Sequence, residues 1–115
     1  MAIQNWSDDI LMGELAEEPV FSEDVTALSD MLAQRRQDVV LNFKGVDFLN
    51  SSNIARLLKL RKLVLGAGRR LILCGINNQV WGVFLVTGLD KIFEYTGDTA
   101  TALATLQLGG KRSKT

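Results

Sequence analysis

The sequence predicts an α/β fold. It reads as one domain built on a small, mostly parallel or mixed sheet of about four to five strands with about four helices, in the order ββαβαβαβα. Three observations carry this. Short apolar runs such as DVVLNF and RRLILCG alternate with stretches whose apolar residues recur at helical spacing. Capping residues and glycines bracket those helical stretches. Two strand-like runs adjoin at the start with no helix between them. The 115 residues suffice for one such domain with a core and are too few for two.

AIQNW and ILMGEL read as two short strands around the polar turn SDD, and Gly13 in the second suggests a bulge or a close backbone approach. Pro19 breaks the pattern. Ser22 is a suitable N-cap, with Glu23 and Asp24 in the first turn, and Val25, Leu28, Met31 and Leu32 give a helix over 23–34. Residues 38–43 form a buried strand, and KGVDF is a loop. Ile54, Leu57, Leu58, Val64 and Leu65 lie on a helix that starts at about Ser51 and stops near Gly66 and Gly68. Residues 70–74 form another buried strand. Asn77 or Asn78 caps a third helix carrying Val80, Val83, Phe84 and Val86, with Gly88 just past its end. Residues 91–95 read as a short strand, and Asp98 or Thr99 caps a last helix with Ala102, Leu103 and Leu106. The domain spans 1–108, and residues 109–115 form a loose polar tail.

Composition excludes much chemistry. The chain has no histidine and one cysteine, Cys74, so histidine triads and the usual metal sites are not expected, nor is an internal disulfide. No glycine-rich phosphate loop is present, so no cofactor and no catalytic residue is expected. Zero formal net charge points to neither nucleic acid nor membrane. MAIQNWSDDI carries no basic leader pattern, and no apolar run reaches the roughly 20 residues of a membrane span. A cytoplasmic, non-enzymatic protein is the simplest expectation.

The charges are nevertheless uneven. Eight acids and no basic residue precede Arg35, whereas Arg56, Lys59, Arg61, Lys62, Arg69 and Arg70 occur with no acid among them. The basic segment is either a solvated helix face or a docking surface for an acidic partner. No aromatics interleave with it, which disfavours nucleic acid.

In an open α/β sheet, strand C-termini and helix N-termini share the edge at which ligands bind. Asn50, Ser51, Ser52 and Asn53 are expected there. Such residues start helices by accepting orphaned backbone N–H groups, and that alone can account for them. Alternatively a serine there is phosphorylated. The new charge meets free amides and the positive helix end, while a partner packed on that edge must bury it.

The segment VDFLNSSN, followed by LGAGRRLILCG and VTGLDKIF, resembles the core of the STAS domain, the family of bacterial anti-sigma factor antagonists. That family has a D-F-x-D-S-[ST]-G segment between strand and helix, then a glycine-rich turn, an L-x-L-x-G strand and a [TS]-G-L-[DF]-x-[IL]-F close. The resemblance implies that Ser51 is the phosphoacceptor, with Ser52 the neighbouring hydroxyl. It also implies that Asn50, Ser51, Ser52, Asn53, Arg56 and Thr87 contribute to partner binding. The partner it implies is an anti-sigma factor that is itself a serine kinase with an ATP-binding fold, with a phosphatase to reset the switch. Asn50 stands where the family has Asp. Asn53 stands where it has Gly, adding a side chain on the partner's side. STAS domains also serve as docking subunits of signalling complexes or transport ATPases, which is the alternative reading.

Overall fold

Five strands lie side by side in the order in which the chain makes them. The computed structural model describes residues 3–109. β1 (Ile3–Asn5) runs antiparallel to β2 (Ile10–Glu14). β3 (Asp38–Asn42), β4 (Leu71–Cys74) and β5 (Glu94–Thr96) then add in parallel. The intervening helices are α1 (Val20–Gln34), α2 (Ser51–Gly66) and α3 (Asn78–Thr87), and α4 (Thr99–Gly109) closes the order ββαβαβαβα. Residue 109, where the polar tail is expected to begin, still belongs to α4; the remaining residues of that tail, 110–115, lie outside the described residues.

Right-handed crossovers between sequential parallel strands put all the connecting helices on one face. The core shows this. Leu11, Val39, Leu41, Leu71 and Leu73 point to one side and pack with residues of α1, α2 and α3. Val40, Ile72 and Cys74 point to the other and meet Ala102 and Leu106 of α4. Burial on both faces is why the central strands read as unbroken apolar runs. Cys74 is fully buried, and burial, with a smaller contribution from Asp98, pushes its thiol up to about 11. A thiol reagent at neutral pH is therefore expected to leave Cys74 unmodified in the folded chain and to label it fully in denaturant. Equal labelling in both states would show that α4 does not cover it.

The structure corrects several sequence expectations. α1 begins at Val20, not at residue 23, and Ser22 does not cap it. Pro19 occupies the N-cap position in a helical conformation, so the chain enters the helix directly from it. The Ser22 hydroxyl instead donates to Glu18 Oε2 at 2.6 Å. Gly13 makes no bulge, since it pairs in register with Ile3 and Leu41. It does mark a close approach: a Cβ there would sit 3.2 Å from both Leu28 Cδ1 and Leu41 Cδ2. The strand expected over 91–95 is shortened at its start: Leu89–Lys91 form a 3-10 turn, because Gly88 takes a left-handed φ of 78° and turns the chain out of α3. β5 starts only at Glu94, and buried Phe93 fills the core from the link before it. Asn77 caps α3 through the Val80 amide, and Asp98 caps α4 through the Thr101 amide.

Three loops meet at the strand C-termini, and each holds the next. The Leu15 amide donates to the Asn42 carbonyl, and the Phe43 amide to the Cys74 carbonyl. Gly45 packs so closely that a Cβ would lie 2.8 Å from the Leu15 oxygen. Gly75 takes a φ of 70°, and a Cβ would lie 2.5 Å from Asn42 Oδ1. The loop from β3 to α2 is thus gripped from both sides.

Candidate functional site

That loop delivers the start of α2. The Asp47 amide donates to Glu17 Oε2 at 2.6 Å, and Asn77 Nδ2 donates to the Val46 carbonyl and to Asp47 Oδ1. Val46 and Leu49 anchor the loop in the core. Phe48, between them, is 63% exposed. An apolar ring left in water on a braced loop is available to a partner.

Asn50 is the N-cap of α2 and forms a capping box with Asn53. The Asn53 amide donates to Asn50 Oδ1 at 2.8 Å, and the Asn50 amide to Asn53 Oδ1 at 3.0 Å. Capping is therefore done by the two asparagines and not by the serines. Ser51 and Ser52 lie exposed in the first turn. Among the described residues neither hydroxyl is engaged in a hydrogen bond, and neither amide has a protein acceptor. Free amides at the positive end of a 16-residue helix favour an anion.

The expectation that Asn53 faces a partner is overturned. Its side chain is 2% exposed, because Nδ2 turns inward and donates to Glu18 Oε2. Glu18 lies at the junction of α1 and α2. It accepts from the Ser22 hydroxyl and amide as well as from Asn53. The Ser22 hydroxyl most of all, then the Ser22 amide, Asn53 and the nearby Arg56 charge, hold its carboxyl below the usual value against a smaller desolvation effect. A depressed folded-state pKa gives stabilisation that is present above the unfolded value and is lost as pH falls through the folded one. Acid titration of unfolding is therefore expected to show a Glu18-dependent loss confined to the carboxylate range. Glu18→Gln lacks that contribution, so the variant is less stable at neutral and alkaline pH and converges on the parent as pH falls through the carboxylate range. A parallel offset of the whole curve in that variant would contradict this account.

Arg56 is exposed one turn beyond the serines and is close enough to act on Glu18. Thr87 does not join this group. α3 starts at the edge that carries Ser51 and runs away from it for ten residues, about 15 Å, so Thr87 lies towards the opposite edge. Its hydroxyl donates back to the Val83 carbonyl at 2.7 Å. Sequence reasoning missed Phe48 and Glu18. An aromatic inside the polar loop KGVDF was the available signal for the first. Glu18 had none, since its role depends on Asn53, 35 residues away.

Residues 3–105 match the STAS domain. The chain belongs to the STAS family. Within it, the anti-sigma F factor antagonist of Paenibacillus polymyxa is 31% identical over 100 residues, covering 85% of this chain and 84% of that one. The fold matches an anti-sigma-factor antagonist STAS domain protein from Planctomyces limnophilus, with a TM-score of 0.78, 18% identity and coverage of 91% and 97% of the two chains. It also matches the Bacillus cell fate determinant SpoIIAA in its phosphorylated form, with a TM-score of 0.71, 16% identity and coverage of 90% and 96%. This STAS chain is thus anti-sigma factor antagonist-like, and antagonists of this kind are regulators without enzymatic activity. Among its described residues no helix is long and apolar enough to cross a membrane, and no group of three or more metal-binding side chains is assembled.

Proposed function

We propose that the chain binds an anti-sigma factor with serine kinase activity through the exposed start of α2, and that phosphorylation of Ser51 ends the complex. The supporting observation is the division of labour at that helix start. Asn50 and Asn53 satisfy the cap, which leaves the Ser51 hydroxyl exposed and unengaged. A phosphate there adds roughly −1.5 to −2 charge at pH 7 beside free amides, so the fold accommodates it. The partner bears the cost, because a face packed over Phe48 and the first turn of α2 must then bury that charge. Ser52 is also exposed and is the less favoured acceptor. Resetting the switch calls for a phosphatase.

Intact-mass and peptide mass spectrometry on protein from its own cells tests this, with Ser51→Ala as control. One phosphate on Ser51, absent from the control, is the expected result. Protein without phosphate in growth and in stress would leave the same surface as a constitutive docking face, of the kind a signalling complex or a transport ATPase uses.

A further inference from the structure

The helical face of the molecule carries two charge stripes side by side. α1 buries Phe21, Val25, Leu28 and Leu32, so at 100° per residue its outward side carries Glu23 and Asp30. α2 buries Asn53, Leu57, Leu60 and Val64, and its exposed side carries Arg56, Lys59 and Lys62. The two helices run level. Glu18 joins Ser22 to Asn53 at their starts. At their far ends Leu32 and Gln34 share a cleft of about 420 Å³ with Lys62 and Gly66. Asp30 therefore stands at the height of Lys62, and Glu23 near that of Arg56. Yet among the described residues no ion pair joins α1 to α2.

An acidic stripe of two residues beside a basic stripe of three is self-complementary in sign. A two-fold axis along the groove between α1 and α2 lays the α1 of a second copy on α2, and the reverse, with heights preserved. Each charge contact then occurs twice. We propose that this face is a homodimer interface. A foreign acidic partner seated on α2 would be repelled by the neighbouring α1 stripe, whereas a second copy supplies a base for each acid. Leu58 and Leu63, both partly exposed on α2, add apolar contact. Zero net charge removes the general repulsion between copies. Since the contacts are largely exposed charges, the association is weak and salt-sensitive.

Sedimentation equilibrium on the unphosphorylated chain, at low and high salt and without any other protein, tests this independently of the Ser51 reading. The expected result is concentration-dependent dimerisation that salt suppresses. Lys62→Glu and Asp30→Lys each change an exposed position, and circular dichroism confirms that both fold. Each weakens the dimer at least about tenfold, because every substitution acts at two symmetry-related contacts. An equimolar mixture of the two variants restores association, since each chain then offers the complement of the other. A chain that stays monomeric at low salt overturns the proposal and leaves the basic stripe to a foreign acidic surface. So does a wild-type dimer that the mixture fails to reproduce, which would place the interface elsewhere.

Discussion

Phe84→Ala is expected to remove about 3–5 kcal/mol of unfolding free energy, the range for deleting a fully buried aromatic side chain. Phe84 is the meeting point of the aromatic core. Its ring lies 5.7 Å from Tyr95, 6.0 Å from Phe93 and 6.2 Å from Phe43, all in edge-on contact, and 6.3 Å from Trp81 in a stacked one. Through those four rings it ties α3 to β5, to the link before β5 and to the end of β3. Domains of this kind are stable by only about 5–15 kcal/mol, so the variant is left marginal. Its melting temperature should fall by roughly 10–20 °C. Val86→Ala, on the same helix but almost fully exposed, should stay within about 0.5 kcal/mol. Chemical denaturation of the pair checks both figures. A Phe84→Ala loss below that of Val86→Ala would mean that α3 is not docked by this ring.

The second large effect is on binding. Ser51→Glu places a permanent carboxylate where the phosphate is proposed. An unpaired charge buried in an interface costs about 2–5 kcal/mol. Affinity for the anti-sigma factor is therefore expected to fall roughly thirty-fold to several thousand-fold. Ser51→Ala should bind as the parent does, because the hydroxyl caps nothing. Stability should move the other way: a negative side chain in the first turn of a helix adds about 0.3–1 kcal/mol. Calorimetric titration with the partner and a thermal melt separate the two. Unchanged affinity for Ser51→Glu would remove the first turn of α2 from the interface, and a large drop in melting temperature would mean that lost folding had been mistaken for lost binding.

The parts of the fold legible in the sequence are those where one physical signal dominates. β3 and β4 are buried on both faces, so they appear as bare apolar runs. α2 starts at Ser51 and ends at Gly66 as expected, because an asparagine cap and a glycine stop are local features. The start of α1 is not legible, for the opposite reason. Ser22 is the better cap by residue type, yet Glu18, four residues earlier, captures its hydroxyl. Asn53 shows the same limit at the site. Residue type placed it at the helix start correctly, but only the partner reached across the fold, Glu18, decides that its amide points inward. Residues 91–95 read as strand because Phe93 is apolar and buried, although the strand starts only at Glu94 and Phe93 reaches the core without joining the sheet. Thr87 carried no sign that α3 would take it away from Ser51, since direction along a helix follows from topology and not from local pattern.

The position of α4 in the chain order bears on how the protein is made. One face of the sheet receives its helices as synthesis proceeds, α1, α2 and α3 each following the strand it crosses from. The other face, with Val40, Ile72 and Cys74, waits for Ala102 and Leu106. At translation rates of about 5–20 residues per second, a chain whose first three strands have already emerged shows water an apolar sheet surface for seconds before α4 arrives. An arrested chain that ends before residue 99 and is extended by a linker long enough to fill the exit tunnel holds the nascent protein in that half-clad form. Chaperone occupancy on arrested chains should accordingly be highest once β4 has left the tunnel, and should collapse when α4 follows it.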